Sequence, residues 1–273
     1  MKKTLLVVLV ALIAFSVFAG GSKESSKNEL GLVAPGKFTV ATSPDYAPYE
    51  FYAVKNGTPE LAGFDMALAK YIADYLGLEL DVIPMDFDGI ITEVQMGNVD
   101  AGIAGLSPSP DRAEAMDFSD IYYAGTQGFL TTKKNAEKFK SLEDTNKAQY
   151  KIGAQTGSIQ QGLAQDYSGN ADLVYLAKVT DIVAEVLNGK LDGAYVETAV
   201  AESYAKNYPE LVCALDVPYD SEGNVVGIKK GNTALVNAVN EAIAKCLAEG
   251  AMGKFVEQAG IDASGDIIEG MIN

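Results

Sequence analysis

Arg112 closes a motif that can bind a carboxylate. The motif reads Gly-Leu-Ser-Pro-Ser-Pro-Asp-Arg over residues 105–112. Ser109 followed by Pro110 is typical of a helix N-terminus, so Arg112 falls in the first turn of a predicted helix, beside exposed backbone N–H groups. A guanidinium donates two parallel hydrogen bonds to a carboxylate, and Ser107 adds a hydroxyl. We therefore predict a carboxylate clamp here; the plainer alternative is a surface arginine paired with a neighbouring acid.

The elements before this loop predict how it is positioned. A β-type run at residues 38–42 leads into a Pro-bounded loop, and a helix is predicted at residues 66–76, with Asp65 as N-cap and Gly77 after its end. A strand at 80–83, a short helix at 90–96 and a strand at 101–104 follow. This β-loop-α-β-α-β order predicts a mostly parallel α/β sheet.

A second unit repeats the first. It starts with a predicted strand at residues 150–154, and the succession of helix, Gly, Asp turn and strand at 91–102 recurs 92 residues later at 183–194. Such joints also arise by coincidence in α/β proteins, but the shared strand-loop starts favour two similar lobes. Ligands of open α/β sheets bind at the carboxyl ends of the strands, so the cleft between the lobes is the predicted site.

The chain is predicted to cross between the lobes twice, near residues 127–130 and 217–226, and two crossings make a hinge. The N-terminus has the charged, apolar and small-residue regions of a secretory signal, and no later segment is long and apolar enough to span a membrane. The predicted division is a signal peptide at 1–19, a flexible leader at 20–36, lobe 1 at 37–127, lobe 2 at 128–218, and a return to lobe 1 at 219–273 with a C-terminal helix at 235–247.

Composition narrows the function. A net charge of −16 over 273 residues argues against nucleic acid as a partner, since that requires basic patches. Histidine is absent, which removes the commonest general base and catalytic metal ligand, so we expect no metal and no cofactor. Cys213 and Cys246 could pair in an oxidising compartment, although Cys246 lies on an apolar helix face and burial as a small hydrophobe is favoured.

The ordered motifs at residues 43–51, 63–65 and 105–112 together resemble the periplasmic polar-amino-acid-binding proteins of bacterial ABC importers. The resemblance extends from about residue 38 to 260. It implies the α/β fold of type II periplasmic binding proteins, a small-molecule amino acid as ligand, and the membrane subunits of an importer as partner. It also implies a monomer without a catalytic step.

The resemblance also assigns roles to single residues. Arg112 holds the ligand carboxylate, completed by the loop around Ser158, where Ile159 departs from the family's second Thr. Glu197 stands where the family usually has Asp as ammonium partner, and its extra methylene reaches deeper into the cleft. Tyr46 and Phe87 wall the ligand, although Phe87 could instead be core. The full predicted ligand-binding set is Ser43, Tyr46, Phe87, Gly105, Leu106, Ser107, Arg112, Gly157, Ser158, Ile159 and Glu197.

Ligand identity and location are less sharply defined. Relatives that bind glutamine or basic amino acids often have an acid where Ser43 stands, so Ser43 argues against a strictly basic ligand. Asp45, Asp86 and Asp88 could restore negative charge nearby, although each is more often a turn or cap residue. Residues 19–22 read Ala-Gly-Gly-Ser and contain no Cys for a lipid, so a free periplasmic protein is predicted.

Two alternative functions remain open in the sequence. One is an exported dehydratase-like enzyme, in which Glu197 would be the acid, and the other is a soluble ligand sensor.

Overall fold

The structure is a computed structural model that describes residues 30–220 and 223–264. The predicted signal peptide and the first part of the leader lie outside the described residues. The strands are β1 (Lys37–Thr42), β2 (Asp45–Tyr46), β3 (Glu50–Lys55), β4 (Thr58–Ala62), β5 (Glu79–Pro84), β6 (Ala101–Gly102), β7 (Met116–Phe118), β8 (Gln127–Thr132), β9 (Lys151–Gln155), β10 (Asp172–Leu176), β11 (Gly193–Glu197), β12 (Leu211–Val217) and β13 (Gly227–Lys229).

The helices lie between these strands in the chain and after the last of them. They are α1 (Phe64–Leu76), α2 (Phe87–Met96), α3 (Pro110–Ala115), α4 (Lys133–Ala136), α5 (Leu142–Thr145), α6 (Ile159–Ser168), α7 (Val179–Leu187), α8 (Thr198–Asn207), α9 (Thr233–Ala248) and α10 (Ala251–Asp262). None of the helices in the described ranges is long and apolar enough to cross a membrane.

Two five-stranded sheets have the same construction, which confirms the predicted two-lobe α/β fold. The first has the order β5-β1-β6-β13-β7 and the second β10-β9-β11-β8-β12. In the first, β1 pairs in parallel with β5 and β6, while β13 runs antiparallel to β6 and β7. In the second, β9 pairs in parallel with β10 and β11, while β8 runs antiparallel to β11 and β12. Lobe 1 and lobe 2 are named here for these two sheets.

The internal repeat has a structural counterpart. Gly97 and Gly189 follow α2 and α7 with φ of 77° and 71°, a conformation that favours glycine. The aspartates that come next bond to equivalent strands, β1 and β9: Asp100 accepts from the Thr39 N–H at 2.7 Å, and Asp192 accepts from the Lys151 N–H at 3.0 Å. Both lobes therefore aim the carboxyl ends of equivalent strands at the cleft.

Two crossovers join the lobes, one between β7 and β8 and one between β12 and β13. They pair with each other, since the Tyr122 N–H donates to the Asn224 carbonyl at 3.0 Å and the Asn224 N–H donates to the Tyr123 carbonyl at 2.7 Å. The exact lobe boundaries at 127/128 and 218/219 stay a prediction.

Several local predictions needed correction. Gly63, not Asp65, is the N-cap of α1, because Asp65 lies inside the first turn with its carboxylate turned inward. That carboxylate accepts from the Gly105 N–H at 2.7 Å and from the Tyr122 hydroxyl at 2.9 Å. Residues 30–36 of the predicted flexible leader are bonded to lobe 1, since the Val33 N–H donates to Asp100 at 2.7 Å.

The C-terminal part of the described chain returns to lobe 1. The helix predicted at 235–247 is α9, and both α9 and α10 pack against α1. Cys246 is buried on α9, as favoured, and Cys213 lies half-buried in β12 of lobe 2; both are free.

Candidate functional site

Arg112 is buried at the junction of the two lobes. Ser109 caps α3 by accepting from the Arg112 N–H at 3.2 Å, and Pro110 begins the helix, as predicted. The guanidinium donates to the Ser107 carbonyl at 2.7 Å and, across the cleft, to the Gly157 carbonyl at 3.2 Å. Burial lowers the pKa of Arg112 to about 10, so it stays charged at neutral pH. The surface-arginine alternative does not describe this residue.

A small cavity lies beside this guanidinium. Its volume is about 10 Å³, the space of about one water molecule, so a larger solute requires the lobes to separate and the side chains to move. It is lined by Tyr46, Phe87, Ala104, Gly105, Ser107, Arg112, Gln155, Ser158, Ile159 and Gln160. Seven of the predicted ligand-binding residues therefore meet at one cavity built from both lobes.

The aromatic walls lie on the lobe 1 side. The Phe87 ring, at the start of α2, has its centroid 5.4 Å from the Arg112 Cζ, so it stacks on the guanidinium rather than serving only as core. The Tyr46 hydroxyl accepts from Gln160 Nε2 and from the Glu197 N–H, each at 3.3 Å. Tyr46 thus joins the lobe 1 loop to two elements of lobe 2.

Arg112 also lines a wider groove on the outside of the cleft. This groove has a volume of about 1230 Å³ and runs between α3 of lobe 1 and α6 of lobe 2. Because one guanidinium borders both the inner cavity and the outer groove, the groove offers a route by which a solute can reach it.

The polar groups of the second-lobe loop bond within the loop and its helix in this structure. Ser158 is the N-cap of α6: its hydroxyl accepts from the Gln161 N–H at 3.2 Å and donates to the Gln155 carbonyl at 2.7 Å. The Gly157 N–H donates to Gln161 Oε1 at 2.9 Å. Ser158 therefore caps the helix and lines the cavity as well.

Glu197 ends β11 and faces the crossovers. It does not line the cavity; its Oε2 accepts from the Tyr49 hydroxyl, and its Oε1 accepts from Asn224 Nδ2 at 2.9 Å and from Gln127 Nε2 at 3.4 Å. Burial is the main reason that the pKa of Glu197 is raised to about 7, against the lowering effect of these three donors. Its role as ammonium partner stays a prediction.

Ser43 and Leu106 are predicted site residues that lie behind the cavity. The Ser43 hydroxyl donates to Asp45 Oδ1 at 2.9 Å, and Leu106 is fully buried in a lobe 1 core cluster. Asp45 in turn accepts from the Val179 N–H at 2.6 Å and from Gln155 Nε2 at 3.3 Å, both in lobe 2. Asp45 thus bridges the lobes, which its turn-like sequence context did not indicate.

Three residues that line the cavity are missing from the predicted set: Ala104, Gln155 and Gln160. Gln155 ends β9 and Gln160 stands in the first turn of α6. Position offers a way to find them, because the last residue of a central parallel strand and the first turn of the next helix both face a ligand crevice.

Acidic side chains outnumber basic ones in the buried interior of the described chain. Asp45, Glu50, Asp65, Asp100 and Glu197 are buried carboxyl groups, whereas Arg112 is the buried cation. No cluster of three acids, cysteines or histidines in the described ranges has the geometry to hold a metal ion.

Comparison with known proteins places this geometry in a family. Residues 38–260 match the model of the bacterial extracellular solute-binding proteins, family 3. The arginine-binding extracellular protein ArtP of Bacillus subtilis is 31% identical over 259 residues, covering 93% of this chain and 96% of that protein. The amino acid ABC transporter substrate-binding protein AbpA of Streptococcus pneumoniae, solved bound to L-arginine, superposes with a TM-score of 0.81 at 34% identity, covering 85% of this chain and 97% of that one.

A third relative bears on the enzymatic alternative. The ancestral amino acid-binding protein AncCDT-1, a precursor of cyclohexadienyl dehydratase, superposes with a TM-score of 0.75 at 32% identity, covering 82% of this chain and 95% of that one. From the family match and the shared two-lobe construction, this chain belongs to the bacterial extracellular solute-binding proteins, family 3.

Proposed function

We propose that this protein captures an amino acid between its two lobes and delivers it to an ABC importer. The observation that carries the proposal is the buried Arg112 guanidinium, held at the meeting point of the lobes beside a cavity to which both contribute. A guanidinium in this position can bind a carboxylate by donating two parallel hydrogen bonds to it. Closure around a solute then produces the compact form that an importer can recognise.

Each end of the ligand has a partner in this proposal. The carboxylate lies on Arg112 and the backbone around Gly105 and Ser107, with the Ser158 loop closing from lobe 2. The aliphatic part packs between Tyr46 and Phe87. The ammonium is accepted by Glu197, which must turn from the crossovers toward the opened cavity.

We infer a cationic amino acid, with L-arginine as the first candidate. Near the cleft, in addition to burial, the negative charges of Asp45, Asp65 and Glu197 raise the pKa of Glu50, and the charge of Asp65 raises the pKa of Glu197 in the same way. A ligand with net positive charge relieves this repulsion, whereas an acidic ligand increases it. Asp45 provides the negative charge that Ser43 does not, and the arginine-binding relatives support the same class.

Calorimetric titration tests the proposal. The exported chain, from about residue 23 onward and refolded to remove carried ligand, is titrated with all proteinogenic amino acids, ornithine, citrulline and cystine. We expect L-arginine to bind at micromolar concentration or tighter and acidic amino acids to give no heat. Heat from none of these ligands contradicts the proposal.

Gly157 provides a test of lobe closure. Its φ is +75°, and an added Cβ would lie 3.0 Å from the Asp88 Cβ of lobe 1. Gly157→Ala is expected to weaken L-arginine binding about tenfold, because the methyl group props the cleft open. Gly162→Ala is the matched control, since its Cβ would meet no atom within 4 Å, and it should bind like wild type. Equal affinities for both variants contradict this closure geometry.

Two other functions have distinct tests. The dehydratase-like alternative needs a carboxylic acid at the substrate, and the pKa of Glu197, raised to about 7, favours it; like the ammonium contact proposed above, it requires Glu197 to turn toward the opened cavity. Turnover of a prephenate-like substrate would support that enzyme and contradict our proposal of capture without chemistry. Capture of a receptor rather than importer subunits from membranes would instead support a sensor. We also infer periplasmic location without a lipid anchor; mass spectrometry of the exported protein tests it.

A further inference from the structure

Asn224 occupies a singular place in the fold, on the second crossover and fully buried. Its backbone pairs with Tyr122 and Tyr123 of the first crossover through two hydrogen bonds. The position of its side chain is therefore fixed by both connections between the lobes, although the sequence around it is typical of an exposed turn.

The side chain of Asn224 bonds to both lobes at once. Its Nδ2 donates to the Gly105 carbonyl of lobe 1 and to Glu197 Oε1 of lobe 2, each at 2.9 Å. Its Oδ1 lies 3.3 Å from the Tyr49 hydroxyl, whose single proton it shares with Glu197 Oε2. Gly105 lines the cavity, so one amide connects the cavity wall, the buried acid of lobe 2 and the hinge.

The atoms around this amide are closely packed. A Cβ at Gly125 would lie 2.7 Å from Asn224 Oδ1, 2.9 Å from Glu197 Oε2 and 3.1 Å from the Tyr49 hydroxyl. No such approach is tolerated by a real side chain, so the first crossover closes directly over the network. Any rotation of one lobe against the other must change at least one of the two Nδ2 bonds.

We propose that Asn224 is a positioning residue for the ligand site: it orients the Glu197 carboxylate and the Gly105 loop together and couples both to the hinge. The inference rests on the proposed function and deepens it. Asn224 does not have to touch the ligand. It acts through Glu197, whose orientation and charge its amide group supports.

Loss of the amide has a direct electrostatic consequence. Hydrogen bonds from Asn224, Tyr49 and Gln127 lower the pKa of Glu197 against the effect of burial. Removing one donor raises that pKa further, so the carboxylate is neutral over a wider pH range. The titratable groups whose charges act with Glu197 are Tyr46, Tyr49, Tyr122, Tyr123, Glu50 and Asp65.

The test compares Asn224→Ala with wild type, using L-arginine as the probe and calorimetry from pH 5 to 9. Binding should weaken about ten- to a hundredfold at neutral pH, and the rise of affinity with pH should move to higher pH. If the alanine variant does not fold, Asn224→Ser takes its place. The serine hydroxyl is too short to bond to both lobes, so this variant should show the same shift.

Thr145→Val is the matched control for a purely structural effect. Thr145 is fully buried in lobe 2, where its hydroxyl bonds with Ser168 and Tyr195 away from the cleft. It should lower the unfolding temperature while leaving affinity and the pH profile unchanged. If wild type binds and Arg112→Ala does not, Asn224 variants with unchanged affinity and an unchanged pH profile, as in Thr145→Val, overturn this inference but leave the proposed function standing. A wild type that binds no amino acid overturns the inference and the proposed function together.

Discussion

Arg112→Ala is expected to weaken L-arginine binding by about a thousandfold, because it leaves a buried carboxylate without its cation. The side chain is only 6% exposed, so water cannot replace the guanidinium in the closed cleft. Arg112→Lys should recover little of the loss, since an ammonium cannot make two parallel hydrogen bonds and does not stack on Phe87 in the same way. Calorimetry of both variants measures this effect.

The matched control is Lys230→Ala. Lys230 lies on the surface near the same helix, where its Nζ donates to the Ala113 carbonyl at 2.7 Å and pairs with Asp117 at 3.1 Å. It removes the same charge and should leave the affinity within twofold. If Lys230→Ala weakens binding as much as Arg112→Ala, the net charge of the protein and not the carboxylate clamp determines the affinity for L-arginine.

A spectroscopic readout can separate direct contact from an indirect effect. Arg112 is the only arginine in the sequence, so protein labelled with [15N]arginine gives a single side-chain Nε–H signal. That signal should shift when unlabelled L-arginine is added. An unchanged signal at saturating ligand would show that the carboxylate binds elsewhere.

The sequence predicted most accurately those features that depend on residues close together in the chain. Ser109 and Pro110 set the start of α3 and hence the place of Arg112, and both act within one helical turn. The 92-residue repeat predicted two similar lobes, and equivalent aspartates bond to equivalent strands. The resemblance to the family then predicted that Tyr46 and Phe87 line the cleft.

Contacts across the cleft were beyond such reasoning. Asp45 and Val179 are 134 residues apart, and Tyr49 and Glu197 are 148 apart, so their pairing depends on how two finished lobes meet. Asp65 illustrates the same limit: its local pattern predicted a helix cap, but tertiary bonds to Gly105 and Tyr122 turn its carboxylate inward.

Glu50→Gln is expected to remove a large part of the pH dependence of stability. Glu50 is fully buried, and neither of its carboxylate oxygens has a donor among the described residues; the same is true of Asp65 Oδ1. The two carboxyl groups lie within hydrogen-bonding reach of each other. Two ionised carboxylates do not persist in such a place, so one proton is shared, and Glu50 is its holder because the other Asp65 oxygen accepts from Gly105 and Tyr122.

The sign follows from proton linkage. Burial, with the neighbouring Asp65 charge, raises the pKa of Glu50 well above its ordinary 4.5 in the folded protein. The native state therefore binds more protons than the unfolded chain, and this contribution to stability is present below pH 4.5 and is lost as pH rises toward the folded pKa. The loss is about 1.4 kcal/mol per pH unit for one group.

Glutamine keeps the shape of Glu50 and can donate its amide to Asp65 at every pH. The variant should match wild type near pH 5 and become increasingly more stable than wild type as pH rises toward 8, with a slope of up to about 1.4 kcal/mol of unfolding free energy per pH unit, as measured by urea denaturation. Glu60→Gln, at an exposed position on β4, is the charge-matched control and should retain the wild-type pH slope. Parallel slopes for Glu50→Gln and wild type would mean that Glu50 is ionised in the folded protein. The acidic interior would then hold one more negative charge, and a cationic ligand would have one more carboxylate to neutralise.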